Sequence, residues 1–184
     1  MRKLALALAA TAVCGFSISS STAAVAAVET VEAQMTAASA ASIARQDMID
    51  AFGEDYVKPG QFLWRDVPKS AGEERVVISL SDQMAYLYRG ETIVAAASVS
   101  TAKAGKITPT GIFTVLEKRP MYHSKKYDNA PMPFMQRIDD YGIAMHAGYN
   151  PGEPASHGCI RLPAKFASKL YQVTGVGTPV LIGA

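Results

Sequence analysis

One cysteine in the C-terminal part of the sequence follows closely on histidines. His123, His146 and His157 all precede Cys159 within a short stretch of the chain. A free thiol is only a few per cent thiolate at neutral pH, so a cysteine nucleophile needs a base or a cation beside it. Imidazole titrates close to neutral pH and can serve as that base. The grouping therefore favours covalent catalysis by a cysteine.

The loop between His146 and Cys159 is suited to bring these two residues together. It contains glycines and prolines that favour a tight excursion returning the chain to its starting point: Gly148, Pro151, Gly152 and Pro154. Gly158 has no Cβ, so a substrate carbonyl can approach the backbone there. We expect the N–H groups of Gly158 and Cys159 to form an oxyanion hole.

Arg161 lies two residues beyond the candidate nucleophile. In an extended segment this spacing puts both side chains on the same face, where a guanidinium can bind a substrate carboxylate through two hydrogen bonds. The alternative for Arg161 is a structural salt bridge.

Two other interpretations of the cysteine remain open at the level of sequence. A lone cysteine is often a small buried hydrophobic residue. A zinc site formed by His146, His157 and Cys159 is the other alternative, but their spacing matches no compact ligand motif and a fourth ligand is missing.

The elements that position these residues are short runs of β-branched and aromatic residues separated by turns. Residues 76–80, 84–88 and 92–99 predict three strands in an antiparallel meander, and further strands are predicted at 112–116, 142–146 and 179–182. A helix is predicted at 163–173, with Pro163 at its first position.

The segment between Lys118 and Asp140 contains three prolines and no periodic apolar pattern. Long connections without secondary structure are often lids or binding loops. We therefore expect a flap that covers the substrate, with His123 on it as a solvated or substrate-contacting residue.

The N-terminal part of the chain is different in composition. Residues 1–26 have a basic start, an apolar run and an Ala24-Val25-Ala26 cleavage motif, which predict a signal peptide and an exported protein. A transmembrane anchor and a lipoprotein modified at Cys14 are the alternatives. Residues 27–58 are an alanine-rich spacer or a loosely docked helix, and residues 59–184 carry the turn-rich domain.

Charge and composition exclude several classes of protein. The chain is 49% hydrophobic and 18% charged, so it should fold. Removing the signal peptide takes away two basic residues and leaves Lys+Arg equal in number to the 16 Asp+Glu. Without excess positive charge, we expect no binding to nucleic acid.

Three segments of the sequence carry a specific resemblance. Ser156-His157-Gly158-Cys159-Ile160-Arg161, preceded by His146 in Met145-His-Ala-Gly148, resembles the signature of the YkuD-type L,D-transpeptidase catalytic domain. The segment from Ser100 to Phe113 resembles the T-G-K-x-G-x-x-T-P-T-G-x-F stretch of that family, with Ala102 where the family usually has glycine. Residues 130–134 resemble its substrate-side loop.

The resemblance implies a mainly β fold, like a sandwich or barrel, with one or two short helices and a single catalytic domain. It implies Cys159 as nucleophile and His146 as general base, oriented by the backbone carbonyl of Ala147. Gly158 and His157 map to the oxyanion site and site wall, and Arg161 and Ser156 to substrate binding. No metal ion or cofactor is implied.

The resemblance also implies an enzyme that acts on peptidoglycan. The expected reaction removes the terminal D-alanine of a tetrapeptide stem and transfers the acyl group to an amine of another stem, a D-amino acid or a protein. An L,D-carboxypeptidase that uses water as acceptor is an alternative, and so is a non-catalytic wall-binding or zinc-stabilised module. Carbapenem-type inhibitors are expected to acylate the enzyme, which would face the periplasm or the cell wall.

Overall fold

The computed structural model describes residues 27–184. The predicted signal peptide, with Cys14, lies outside the described residues. The helices are α1 (Val31–Phe52) and α2 (Ala164–Val173), with a 3-10 turn at Lys69–Ala71. The strands are β1 (Phe62–Trp64), β2 (Glu74–Ser79), β3 (Met84–Arg89), β4 (Thr92–Ser98), β5 (Gly111–Thr114), β6 (Glu117–His123), β7 (Pro131–Arg137), β8 (Ala144–Ala147), β9 (Ile160–Leu162) and β10 (Pro179–Gly183). In residues 27–184 neither helix is long and apolar enough to cross a membrane.

The strands form two sheets, so the expected mainly β fold is confirmed. The larger sheet has the order β1-β4-β3-β2-β10-β5, in which β2, β3 and β4 form the predicted antiparallel meander and β10 runs parallel to β2. The smaller sheet has the order β6-β7-β8-β9, with β8 and β9 parallel. The predicted strands near residues 112, 142 and 179 correspond to β5, β8 and β10.

Both faces of the larger sheet are buried. Val76 and Ile78 on β2 point into a core shared with the smaller sheet and α2, whereas Val77 between them packs on the side of α1. On β3, Tyr86 and Tyr88 face α1. Because helices or strands cover both sides, most positions of β3 and β4 and residues 76–78 of β2 are apolar and do not alternate with polar residues.

Helix α1 occupies most of residues 27–58, for which the sequence allowed either a spacer or a loosely docked helix. Thr30 caps its N-terminus by accepting a hydrogen bond from the N–H of Ala33 at 3.3 Å, and Gly53 ends it with a left-handed φ of 71°. The face that packs on the sheet is made largely of small residues: Ala33, Ala37, Ala41, Ala44 and Met48. Tyr88 donates a 2.6 Å hydrogen bond to Asp47 of the helix. At 22 residues, α1 is longer than the short helices expected.

The helix approaches the sheet closely at one glycine. A Cβ on Gly183 would lie 2.6 Å from the backbone oxygen of Ala37 and 2.7 Å from the Cα of Ala38. Just before the helix, Val28 pairs with Ile112 and extends the edge of the sheet beyond β5. These contacts make residues 28–52 part of the folded domain.

The predicted structureless flap between Lys118 and Asp140 is wrong in its conformation. The segment is an antiparallel hairpin of β6 and β7, connected by residues 124–130. Strand β6 is a largely exposed edge, where Pro120 is tolerated. Pro131 and Pro133 lie on the part of β7 that has no partner in β8, since β8 pairs only with Gln136 and Arg137.

The predicted C-terminal helix is present as α2, with Phe166 and Leu170 buried in the main core. Pro163 is its N-cap and not its first helical residue. The helix packs behind β7 and β8 and supports the sheet that carries the candidate site.

Candidate active site

The pairing of β8 with β9 brings the candidate catalytic side chains onto one face. His146 lies opposite Arg161, and Met145 lies opposite Ile160. Met145 and Ile160 point into the main core. Because side chains alternate along a strand, His146, Cys159 and Arg161 all point to the other face. That face is the floor of a cavity of about 700 Å³.

His146 is held in one orientation by the residue that follows it. Its side chain is buried, and Nδ1 lies 2.9 Å from the carbonyl oxygen of Ala147, as the sequence resemblance implied. Because that carbonyl can only accept, Nδ1 carries the proton and Nε2 is left with a free lone pair. Burial lowers the pKa of His146, and Arg161 lowers it further against the opposing effect of the Ala147 carbonyl. The imidazole is therefore a neutral base at pH 7.

Cys159 is a partly buried free thiol on the same face. Its Sγ lies 3.8 Å from the carbonyl oxygen of Gly142. Burial raises the pKa of Cys159 and the charge of Asp139 adds to this, while the Ala144 N–H and Arg161 oppose it. The resting pair is thus a neutral thiol and a neutral imidazole, and a proton must move to His146 when the sulfur attacks.

The turn before Cys159 is stabilised by the Ser156 hydroxyl. Ser156 is buried, and its Oγ accepts a 3.0 Å hydrogen bond from the N–H of Gly158 and donates a 2.6 Å bond to the carbonyl of Cys159. The Ser156 hydroxyl thus holds the turn, and the Gly158 N–H is engaged within it. Ser156 also lines the cavity, so its part in substrate binding and that of Gly158 in an oxyanion site stay predictions.

Gly158 is required by the shape of the turn. Its φ is +137°, and a Cβ there would lie 2.5 Å from Cδ1 of Ile143 and 3.0 Å from the carbonyl oxygen of Ile107. The position favours glycine for both reasons.

The motif that begins at Ser100 is hydrogen-bonded to residues 156–161 and so supports the turn before Cys159. Ser100 and Arg161 exchange two backbone hydrogen bonds, and Lys103 donates its N–H to the carbonyl of Ser156. Thr108 donates its hydroxyl to the carbonyl of Gly158 at 2.8 Å and accepts from the N–H of Ala102 at 3.0 Å. Two of the three segments that carry the sequence resemblance, 100–113 and 156–161, are therefore joined by hydrogen bonds.

The Gly/Pro-rich loop returns the chain to the strand as predicted. Asn150 donates from its side chain to Ser98 Oγ at 2.8 Å and accepts from the N–H of Gly152 at 2.9 Å. Ser100 Oγ donates to the carbonyl of Glu153 at 2.7 Å. These bonds fix the loop to the end of β4.

Arg161 has no carboxylate within salt-bridge distance among residues 27–184. Its side chain lies across Gly148, where a Cβ would be 3.0 Å from the Arg161 Cγ, and it lines the cavity. The structural salt bridge considered as an alternative is therefore absent from the described part of the chain, and Arg161 lines the same cavity as Cys159.

His157 lies at the rim of the cavity. It is exposed and stacks on the ring of Tyr127, with 4.5 Å between the ring centroids. Desolvation and the charges of Lys103, Lys106 and Arg161 lower its pKa.

The connection between β6 and β7 forms one wall of the cavity, although His123 at the end of β6 is not among the lining residues. The lining consists of Tyr122, Ser124, Lys125, Lys126, Tyr127, Asp128, Ala130, Pro131, Met132, Tyr141, Gly142, Ile143, His146, Gly148, Tyr149, Ser156, His157, Cys159 and Arg161. Within residues 27–184, no group of three or more His, Cys, Asp and Glu side chains is placed to hold a metal ion.

Two residues near the site were not singled out from the sequence. Asp139 accepts hydrogen bonds from the N–H groups of Tyr141 and Ile143 at 2.9 and 2.7 Å, which shapes the turn that presents Gly142 to the thiol. The Asp-Asp-Tyr-Gly sequence is a recognisable turn signal. Tyr127 is the other residue, and no local pattern predicts its stacking on His157.

Comparison with known proteins identifies the family. The sequence profile of the YkuD L,D-transpeptidase catalytic domain matches residues 73–182. The chain belongs to this family. No curated protein sequence matches the chain.

Several solved L,D-transpeptidase structures share the fold. An enzyme from Xylanimonas cellulosilytica is 26% identical, with a TM-score of 0.55, over 74% of this chain and 68% of that chain. An L,D-transpeptidase from Mycobacterium smegmatis is 22% identical, with a TM-score of 0.55, over 61% of this chain and 59% of that chain. L,D-transpeptidase 3 from Mycobacterium tuberculosis, solved with a faropenem-derived adduct, is 21% identical, with a TM-score of 0.56, over 61% of this chain and 60% of that chain. The chain thus spans about three fifths of the mycobacterial proteins.

Proposed function

We propose that this protein is a peptidoglycan L,D-transpeptidase that works through an acyl-enzyme on Cys159. The proposal depends on one observation: Cys159, His146 and Arg161, which has no salt-bridge partner among residues 27–184, line the same cavity on one face of β8 and β9. Family membership supports an enzyme of this class.

In the first step His146 Nε2 takes the thiol proton as Cys159 Sγ attacks the carbonyl carbon before the terminal D-alanine of a tetrapeptide stem. The tetrahedral intermediate collapses, the C–N bond breaks, and D-alanine leaves with the proton from His146. A thioester remains on Cys159. Two easier acyl transfers thereby replace one difficult step, as is general in covalent catalysis.

In the second step an acceptor amine attacks the thioester. Its proton passes to His146, the C–S bond breaks, and the thiol is regenerated. The acceptor is an amine of a second stem, giving a 3→3 cross-link, or that of a D-amino acid or a protein. Arg161 binds a free carboxylate of the stem through charge-assisted hydrogen bonds.

Digestion of tetrapeptide-rich sacculi tests the reaction. Muropeptide analysis after incubation with the protein should show 3→3 dimers or exchange products, and Cys159→Ala should produce none. Tripeptides alone, without dimers or exchange products, would assign the protein as an L,D-carboxypeptidase. Sacculi that remain unchanged would contradict both reactions.

Carbapenem-type compounds are proposed inhibitors of this enzyme. One neighbour in the fold comparison is a transpeptidase in complex with imipenem, and another carries a faropenem-derived adduct. If the cysteine were instead structural, as in the wall-binding or zinc-stabilised alternative, the protein would take up no carbapenem. In the zinc-stabilised case it would also retain one equivalent of zinc after desalting. Intact mass and metal analysis distinguish these cases.

We propose export to the periplasm or wall, which the signal-peptide pattern of residues 1–26 and the location of the proposed substrate support. N-terminal sequencing of the protein from the extracytoplasmic fraction should begin at Ala27. An intact N-terminus starting at Met1 in the cytoplasmic fraction would contradict this proposal.

A further inference from the structure

Three of the four backbone N–H and C=O groups of Gly158 and Cys159 are already hydrogen-bonded within the protein. The N–H of Gly158 and the carbonyl of Cys159 are both held by Ser156 Oγ. The carbonyl of Gly158 is held by the hydroxyl of Thr108. Among residues 27–184 the N–H of Cys159 has no hydrogen-bond acceptor.

The hydroxyl of Thr108 therefore fixes the direction in which the Cys159 N–H points. The peptide is trans, as are all peptides in residues 27–184, and in a trans peptide the C=O and N–H of one unit point in opposite directions. Thr108 is buried and is not among the residues that line the cavity, whereas Cys159 is one of them. The Cys159 N–H must then point away from Thr108.

Thr108 is itself locked in place. Its Oγ1 accepts from the N–H of Ala102 while it donates to the Gly158 carbonyl, so the hydroxyl hydrogen has one defined direction. At position 158 φ is +137°, a value that glycine adopts more readily than other residues. Ser156 holds the N–H of this glycine and Thr108 holds its carbonyl, so the Thr108 hydroxyl sets the orientation of the peptide that leads to Cys159.

We propose that Thr108 is a positioning residue that aims the Cys159 N–H at the carbonyl oxygen of the substrate, as the oxyanion donor of the acyl-transfer reaction. The inference rests on the proposed function. It adds to it a residue fifty positions away in sequence, which acts through the backbone of Gly158 and touches neither substrate nor thiol.

The test compares two reactions of the same thiol in Thr108→Val. Acylation by imipenem passes through a tetrahedral oxyanion, whereas alkylation by iodoacetamide displaces iodide and forms none. Loss of one oxyanion donor typically reduces the rate by about 100- to 1000-fold, so we expect misdirection of the donor to slow acylation at least about tenfold. Alkylation should stay within about twofold of the wild type.

Two matched variants control for the substitution. Thr108→Ser keeps the hydroxyl and should acylate within about threefold of the wild type. Thr110→Val makes the same change two residues away, at a half-buried hydroxyl for which residues 27–184 provide no hydrogen-bond partner, and should leave both rates unchanged.

Acylation of Thr108→Val at the wild-type rate would overturn the proposal, and so would an equal loss of acylation and alkylation. A wild type that is alkylated but never acylated would instead contradict the proposed function. If Thr108→Val does not fold, amide hydrogen exchange of the wild type decides the matter. The Cys159 amide should become at least about tenfold more protected in the imipenem adduct, and unchanged exchange would overturn the assignment.

Discussion

Replacement of Gly148 by alanine should weaken substrate binding without unfolding the protein. The backbone at Gly148 lies outside the left-handed region, so alanine meets no conformational strain. The added Cβ would lie 3.0, 3.2 and 3.3 Å from Cγ, Cβ and Cδ of Arg161, all closer than ordinary van der Waals contact. The Arg161 side chain must shift by a few tenths of an ångström at its base, and the displacement grows towards the guanidinium.

The size of the effect follows from the contact that is lost. A hydrogen bond to a charged group contributes about 1.5–3 kcal/mol, which corresponds to about 10- to 100-fold in affinity. Arg161→Ala should therefore raise KM for a tetrapeptide donor by about 10- to 100-fold. Gly148→Ala should raise it by about tenfold, with kcat reduced less than threefold in both variants.

Steady-state release of D-alanine measures both constants, and thermal unfolding measures stability. Gly175→Ala is the matched control, since a Cβ there meets nothing within 4 Å, and it should leave KM unchanged. In the Arg161→Ala background Gly148→Ala should add no further effect. An unchanged KM in Gly148→Ala, or a second tenfold loss on top of Arg161→Ala, would refute the reasoning.

Four further results are expected. His146→Ala should lower kcat by about 100-fold or more in the D-alanine assay, because a general base is lost from a thiol whose pKa is raised; a loss of only a few-fold would contradict the assignment. The acidic limb of the wild-type pH–rate profile should lie below the ordinary imidazole pKa of about 6.5, because burial lowers the pKa of His146, and a limb above that value would contradict it. Ser156→Ala should lower the unfolding free energy by about 2–4 kcal/mol in urea titrations, since a buried N–H and C=O lose their partner, and an unchanged midpoint would argue against the buried turn. Gly183→Ala should cost about 1–3 kcal/mol by the same assay, because its Cβ meets the backbone of Ala37, and a neutral result would show that α1 does not pack as closely as described.

Strand β8 and the closeness of the candidate residues His146 and Cys159 could be predicted because the relevant signals are local. The alternation of side chains around Cys159 and Arg161 follows from the strand period, and β8 and β9 are joined by a loop whose glycines and prolines are visible in the sequence. The Ala147 carbonyl beside His146 is one residue away from it.

The hairpin of β6 and β7 could not be predicted because its prolines suppress the usual strand pattern. The residues of β6 are mostly exposed, so no alternation of apolar and polar residues marks the edge strand. The sequence also did not decide between a spacer and a docked helix at α1, for a related reason. Its buried face consists of alanines, which give almost no contrast with the exposed alanines of the same helix.

The roles of Ser156 and Thr108 depend on tertiary structure. Ser156 faces inward because the turn closes on its hydroxyl, and Thr108 reaches Gly158 across fifty residues of sequence. Neither contact has a local signature, so the hydrogen bond that engages the Gly158 N–H could not be predicted.

The central claim is that Cys159 becomes acylated with His146 as its base. Acid-quenched intact mass spectrometry with a tetrapeptide donor, followed by peptide mapping, tests it most directly. We expect one acyl group on Cys159 with release of D-alanine, a much slower adduct in His146→Ala, and none in Cys159→Ala. No adduct in the wild type, or the same adduct in Cys159→Ala, would contradict the account.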